Sequence, residues 1–535
     1  MPGMIVAPQS KAVEIGAHVL ARGGNAIDAA VTTALAQGVL DPQMCGIGGF
    51  GSCTIFWARG AVRETIAFPA RAGTRVTAEM WRDSVMEEYR DGYGYRVRGY
   101  LNDVGYHAIA VPGTLAGLST ALSRYGTRSW ADCVEPAIRL ARDGYPLTPK
   151  TAARFAAPAV AGKPHPMARA THTAAAREIF TRDGHFPFHE GDRFVQTDYA
   201  ETLERLATSG VEDFYRGGIA CAMVTDIGRH GGFVTAEDLG TYAPRIGTPL
   251  VGTYRGYTVL TDPPPSGGMT LLEMLNIVEG YNLSTYGFNG ADYIDLLART
   301  MQWAYRDWAN HLADPEFAAI PTQHLTSKEY AEEARRAIDR GEKFIVPRWR
   351  ADEQGTTHIS VVDQWHNAVA LTHSLGDSSG VVTDGLGFQY NNAMKCFNPI
   401  PGHPNSIAPG KARVSGLSPT IIMKDNKPLL VVGAPGGTRI TTAVFQTILN
   451  LLDFGMSATE AVSAPRIDCQ GATIDVEARI PESVCAGLRS RGHAVEQGFA
   501  AYWTYPLVHV IRVDPTTGVL DGGADPRGEG MALTV

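Results

Sequence analysis

The chain has 535 residues, 44% of them hydrophobic, enough to bury a large core in one big domain or several smaller ones. A formal charge of −8 and a pI near 6.0, without a run of Lys and Arg, exclude an electrostatic track for nucleic acid and favour a small-molecule substrate. No segment carries the roughly 18 consecutive apolar residues of a membrane span, the N-terminus lacks the basic start and apolar core of a secretory signal, and the seven cysteines are scattered without C-x-x-C spacing, so free thiols in a cytoplasmic protein are expected.

In chain order, Ile15 and Val19 mark a first helix that Gly23-Gly24 ends, and Asn25 caps a second with Ile27, Val31, Leu35 and Val39 on one stripe. Gly46-Ile47-Gly48-Gly49-Phe50-Gly51 then feeds a strand at 53–57. No helix with a Lys-Ser/Thr follows, so this glycine run predicts tight backbone packing and not a phosphate loop. A strand is expected at 62–68 and helices from Val111-Pro112-Gly113 onward (Leu115, Leu118, Leu122) and at 131–142. His165, His172, His185 and His189 fit no ligand spacing and read as surface histidines. A helix at 199–209 and a strand at 254–260 precede Asp262-Pro263-Pro264-Pro265-Ser266-Gly267-Gly268, a rigid turn opening a helix at 269–279. Helices are expected at 291–312 and, with a solvated charged face, at 328–343, followed by an exposed tether over about 344–355.

The informative stretch begins at Gly355. Thr356-Thr357-His358-Ile359-Ser360-Val361-Val362-Asp363 and Ala368-Val369-Ala370-Leu371-Thr372-His373-Ser374 flank Gln364-Trp365-His366-Asn367 and read as a hairpin. If the Gly355–Thr356 bond were cut, Thr356 would carry both a hydroxyl nucleophile and a free α-amine, whose pKa of about 7.7–8.0 suits a general base at neutral pH. A four-residue loop pairs Asp363 with Ala368, which sets Ser374 opposite Thr357 and next to Thr356, and His358 opposite His373. No carboxylate or cysteine completes a metal set with His358, His366 and His373. Beyond the hairpin, a buried strand at 428–433 and a helix at 440–452 bracket Ala434-Pro435-Gly436-Gly437-Thr438-Arg439. The Gly436-Gly437 backbone N–H groups at that helix N-terminus suit a developing oxyanion. A last strand is expected near 507–513.

Taken together and in order, Gly24-Asn25-Ala26-Ile27-Asp28-Ala29-Ala30, Val111-Pro112-Gly113-Thr114, Pro263-Pro264-Pro265-Ser266-Gly267-Gly268, the Thr356–Asp363 run, Ser418-Pro419-Thr420, Gly433-Ala434-Pro435-Gly436-Gly437 and Asp525-Pro526-Arg527 resemble the γ-glutamyltransferases (γ-glutamyltranspeptidases), which are N-terminal-nucleophile hydrolases. The resemblance covers nearly the whole chain. It implies an α+β fold, a four-layer αββα sandwich forming one domain, and a precursor that cleaves itself before Thr356 into a large subunit, 1–355, and a small subunit, 356–535, which stay together as a heterodimer. It implies an acyl-enzyme on Thr356, resolved by water or an amine, with neither metal nor cofactor. Position by position it makes Thr356 the nucleophile, Thr357 its neighbouring threonine, Ser374 a replacement for a second threonine, Gly436 and Gly437 the oxyanion pair, and Ser415 the first of a substrate-contacting serine pair whose second member is Gly416.

The departures fall on substrate recognition. Where the family carries a Gln and an Asp for the substrate α-ammonium this chain has Ala393 and Cys396, with Lys395 between them; an expected asparagine is Gly376; and the arginine that clamps the α-carboxylate aligns with Thr65, leaving Arg63 or Arg71 to substitute. Loss of the carboxylate alone costs about two to three decades in affinity. The connection 398–412 is also shorter than in members with a lid loop. The expected activity is therefore an amidase for an acyl group without a free α-amine, a dicarboxylic half-amide, with Lys395, Arg413 or Arg439 meeting its carboxylate. True γ-glutamyl hydrolysis or transfer on glutathione-like amides and an unprocessed, inactive scaffold are the alternatives.

Overall fold

The computed structural model describes residues 2–88, 95–157, 162–346, 355–500, 502 and 506–535; of the expected tether, 347–354 lie outside the described residues. Two sheets lie face to face. The seven-stranded one runs Met531–Thr534, Met4–Ala7, Thr357–Val362, Ala368–Ser374, Phe50–Trp57, Val62–Phe68, Arg245–Gly247, and the six-stranded one Leu520–Ala524, His509–Val513, Lys427–Gly433, Thr420–Lys424, Tyr257–Thr261, Leu250–Tyr254. Every ladder in both is antiparallel.

Strand alternation divides the core into three apolar layers. Ile5, Ile55, Ile359, Val361 and Leu371 point away from the second sheet and pack with the helices Ser10–Ala21, Ala26–Leu40, Thr114–Tyr125, Trp130–Asp143 and Thr197–Ser209. Met4, Val6, Val362 and Ala370 face Leu260, Ile421, Val431 and Ile511 between the sheets. Val259, Ile422, Leu430 and Val432 cover the other side against Gly268–Glu279, Ala291–His311, Lys328–Asp339 and Arg439–Leu452. This is the four-layer αββα sandwich that the resemblance implies. No helix among the described residues is long and apolar enough to cross a membrane.

Local chemistry explains the elements that matched. Asn25 caps the second helix through a reciprocal capping box with Asp28. The glycine run does pack tightly: a Cβ at Gly48, Gly49 or Gly51 would strike the carbonyl of Gln389, Ser374 or Thr372. Two expectations change. The stretch 254–260 is the second half of a hairpin, Leu250–Tyr254 and Tyr257–Thr261, because Arg255 and Gly256 both take positive φ (52° and 81°) and turn the chain back. The central hairpin is shifted by one residue: Val362 pairs with Ala368, His358 with Thr372, and Thr357 with His373. The Asp363 carboxylate leaves the ladder and accepts from the N–H groups of Ala26, Trp365 and Asn367 and from Asn367 Nδ2. The turn closes through an Asp363 N–H bond to the Asn367 carbonyl, with His366 at φ 65°. That is a three-residue loop ending in a left-handed position.

Candidate active site

The corrected register brings Thr356 and Ser374 together more directly than the expected one. Thr356 sits one residue before the paired strand, opposite Ser374, and the two hydroxyls are 2.9 Å apart. The Thr356 N–H donates to the Met44 carbonyl at 3.2 Å, and the Leu375 N–H shares that acceptor at 2.9 Å. Ser374 Oγ accepts from the Gly376 N–H at 2.9 Å. Gly376, at φ 72°, turns its carbonyl onto the α-carbon of Gly355, where no side chain would fit. Thr356 is only 5% exposed and has φ 105°.

Alternation sets the next layer. Thr356, His358 and Ser360 face the second sheet with Ser374, Thr372 and Ser52. His358 Nδ1 lies 2.8 Å from Thr372 Oγ1 and its Nε2 3.0 Å from Ser360 Oγ. Ser360 Oγ donates to a main-chain carbonyl, Val431 or His509, so Nε2 carries the proton and Nδ1 accepts from Thr372. Burial, with His509 and His373 nearby, holds the imidazole far below its usual pKa and therefore neutral. Thr357 faces the other way and donates to Gln9 Oε1 at 3.2 Å; the adjacent threonine is thus not on the face of Thr356. His358 and His373 likewise point to opposite faces, His373 Nε2 meeting Gln37 at 3.0 Å. Among the described residues no group of three metal-ligating side chains forms.

The second sheet delivers the glycine turn to the same end of the sandwich. Gly433, closing its strand, packs its α-carbon on the His358 imidazole two residues from Thr356. The turn follows at once, with Gly436 at φ 137° and Gly437 at φ 60°. Among the described residues neither glycine N–H donates a hydrogen bond within the chain. Gly416 abuts the Gly437 carbonyl, where only a glycine fits, and the Ser415 N–H is held by the Pro265 carbonyl at 2.9 Å. Ser415, Gly416, Gly436 and Gly437 thus form one wall.

The cations separate into different places. Arg413 is 2% exposed. Its guanidinium lies 4.5 Å from the ring centroid of Phe50, the strand partner of Ser374, and Nε donates to the Val414 carbonyl at 2.8 Å. Burial pushes its pKa down to about 9. Lys395 instead meets Asp377 at 3.0 Å and Asp103 at 3.8 Å, and Arg439 is directed to Asp475 at 2.7 Å and Asp468 at 3.5 Å. Arg71 stacks over Tyr242 and donates to the Ala243 carbonyl. Arg63 donates to Asn426 and pairs with Phe56, itself opposite Ala368 at the turn end. Six residues of strand put Arg63 roughly 20 Å from Ser374. Thr65 donates to the Gly247 carbonyl at the sheet edge. Arg63 is thus remote from Thr356, and Thr65 is engaged at the sheet edge. Ala393 and Cys396 lie in a short helical turn, Ala393–Cys396, and are buried; Ala393 belongs to the apolar core, so neither of these two side chains brings a charge.

Sequence reasoning missed Met44, whose contribution is a main-chain carbonyl and leaves no side-chain signature. It also missed Asp262, which accepts from Ser52 at 2.7 Å beneath Thr372. Its other oxygen has no partner among the described residues, and burial raises its pKa to about 6.

A family model described as gamma-glutamyltranspeptidase matches residues 12–535. An Acylase ACY 1 proenzyme of Pseudomonas sp. (strain V22) is 36% identical over 100% of this chain and 93% of its own length. A glutathione hydrolase proenzyme of Bacillus subtilis (strain 168) is 33% identical over 100% of this chain and 91% of its own. The crystal structure of cephalosporin acylase from Bacillus halodurans superposes with a TM-score of 0.88 at 30% identity, covering 99% of this chain and 95% of that one. The chain belongs to the gamma-glutamyltranspeptidase family, a family of amide-hydrolysing and acyl-transferring enzymes.

Proposed function

We propose that the chain is a self-processing amidase whose nucleophile is Thr356 and whose acyl donor is a dicarboxylic half-amide without a free α-amine. The observation that carries this reading is the Thr356–Ser374 hydroxyl pair at 2.9 Å, beside the Met44 carbonyl that holds the Thr356 nitrogen. In processing, Thr356 Oγ1 attacks the Gly355 carbonyl, the peptide nitrogen departs as the α-amine, and water hydrolyses the resulting ester. In turnover, that amine, oriented by Met44, takes the Oγ1 proton as Oγ1 adds to the substrate carbonyl. Gly436 and Gly437 donate to the oxyanion. The protonated amine leaving group departs, and water or an acceptor amine then repeats the sequence on the ester. Arg413, next to the Phe50 ring on the nucleophile's side, receives the distal carboxylate. Ala393 and Cys396, standing where a Gln and an Asp are expected, offer no charge to an α-ammonium, which supports an acyl group without one.

The names of its relatives support a second reading, true γ-glutamyl hydrolysis or transfer, since the Bacillus subtilis protein is a glutathione hydrolase proenzyme. Parallel assays of glutaryl and γ-glutamyl anilides, with mass spectrometry of the trapped acyl-enzyme, separate the two. A glutaryl preference with the added mass on fragment 356–535 is expected. Stronger activity on the γ-glutamyl anilide refutes the half-amide assignment. For Thr356→Ala the expected result is one intact chain of about 57 kDa on denaturing electrophoresis and loss of all turnover; normal cleavage in that variant removes Thr356 from the mechanism.

A further inference from the structure

Four charged side chains alternate in sign beside the nucleophile, Asp103 and Lys395 buried, Arg169 and Asp377 half-buried. The Arg169 guanidinium grips Asp103 at 2.6 Å. Lys395 spans Asp103, at 3.8 Å, and Asp377, at 3.0 Å. Their side chains are 16%, 1%, 7% and 22% exposed for Arg169, Asp103, Lys395 and Asp377, and the cations hold both carboxyls below their ordinary pKa. The quartet forms one wall of a cavity of about 190 Å³ that Met44 also lines.

The polar contacts of this quartet lead to the reacting hydroxyl. Arg169 also donates to the Asp103 and Ser378 carbonyls. Asn392 donates through Nδ2 to Asp103 at 2.7 Å, accepts the Asp377 N–H at 3.0 Å, and gives its own N–H to the Leu375 carbonyl at 3.1 Å. The loop 375–378 is therefore held at each residue, and its Gly376 N–H aims the Ser374 hydroxyl at Thr356. Asp103 and Arg169 precede the Gly355–Thr356 junction, whereas Asp377, Asn392 and Lys395 follow it.

We propose that Lys395, with Asp377, Asp103 and Arg169, is an electrostatic clasp across the junction, and that Lys395 is a positioning residue for the Thr356–Ser374 pair and not a ligand of the substrate. The inference rests on Thr356 being the nucleophile. Removing the ammonium leaves two carboxylates facing each other and releases the loop that aims Ser374. A displacement of about 1 Å at a reacting group is worth on the order of a hundredfold in rate.

The test is Lys395→Met and Lys395→Arg in the full-length protein, with glutaryl and neutral acyl anilides. Activity is expressed per site counted by covalent acyl trapping, so unfolded or uncleaved molecules do not enter. Lys395→Met is expected to lower kcat per site by about tenfold or more on both donors, with KM changed less than about threefold, and Lys395→Arg to recover most of the loss. A KM rise confined to the carboxylate-bearing donor would make Lys395 a substrate ligand and overturn the clasp. An unchanged kcat per site with fewer titratable sites would leave only a structural role and overturn it as well. If Lys395→Met does not accumulate, the isosteric Asp103→Asn decides, an unaltered kcat per site refuting the proposal. Thr356→Ala is run beside these: full activity there defeats the nucleophile assignment, whereas retained kcat in Lys395→Met alone defeats only the clasp.

Discussion

The corner that holds Thr356 and the wall that carries Arg413 lie within one strand pairing of each other and are built on opposite principles. In the corner the side chains are small, main-chain groups do most of the holding, and the Thr356 hydroxyl, the Thr356 N–H and the Gly376 N–H each have a partner. The wall is a guanidinium stacked on an aromatic ring and backed by buried apolar residues. On the proposed roles, the difference teaches that reaction and recognition would reside on separable segments. Mutations on the two sides should separate in kinetics accordingly.

The largest effect is expected at the wall. Arg413→Met should raise KM for a carboxylate-bearing acyl donor about 30- to 100-fold, the worth of a charge-assisted hydrogen bond of about 2–3 kcal/mol, and leave a neutral acyl anilide within about threefold. Steady-state kinetics on the two donors checks this, and equal losses on both would merge wall and corner. Ser374→Ala should act the other way, lowering kcat about tenfold on every donor with little change in KM, as expected for loss of one oriented hydrogen bond of about 1.4 kcal/mol. Ser374→Thr should recover most of it.

An effect on stability, with none expected on turnover, concerns the layer beneath both regions. Burial raises the Asp262 pKa to about 6, against about 3.9 in an unfolded chain. The folded state therefore binds the proton more tightly. This contribution to stability is fully present below about pH 4 and is lost as pH rises through about 6. It amounts to at most about 3 kcal/mol. Asp262→Asn should flatten the stability curve across that window, read by denaturant titration at pH 4, 5, 6 and 7, without moving kcat at neutral pH.

Much of this was legible in the chain, because glycines and alternation leave marks. Gly436-Gly437 and the hydroxyl after Gly355 pointed to the corner, and the helix stripes and Asn25 to the elements that support it. The one-residue slip arose because Asp363 reads as a strand residue, yet its carboxylate gains four hydrogen bonds by closing the turn. The short strands Met4–Ala7 and Met531–Thr534 escaped notice because their partners are hundreds of residues away, as with Val6 and Ser360 or Val6 and Ala532. Arg63 and Thr65 illustrate a different limit: a linear alignment fixes a strand but not which of its ends faces the reaction.

Thr356 holds a φ of 105°, a region that a β-branched residue rarely occupies and that costs on the order of 1–3 kcal/mol. That torsion is defined by the carbonyl carbon of Gly355. On the proposed cleavage the carbon leaves, the torsion ceases to exist, and the clash behind its cost goes with it. The precursor would then carry a local penalty that scission at this bond removes, a contribution that would favour processing by an amount set before any substrate arrives.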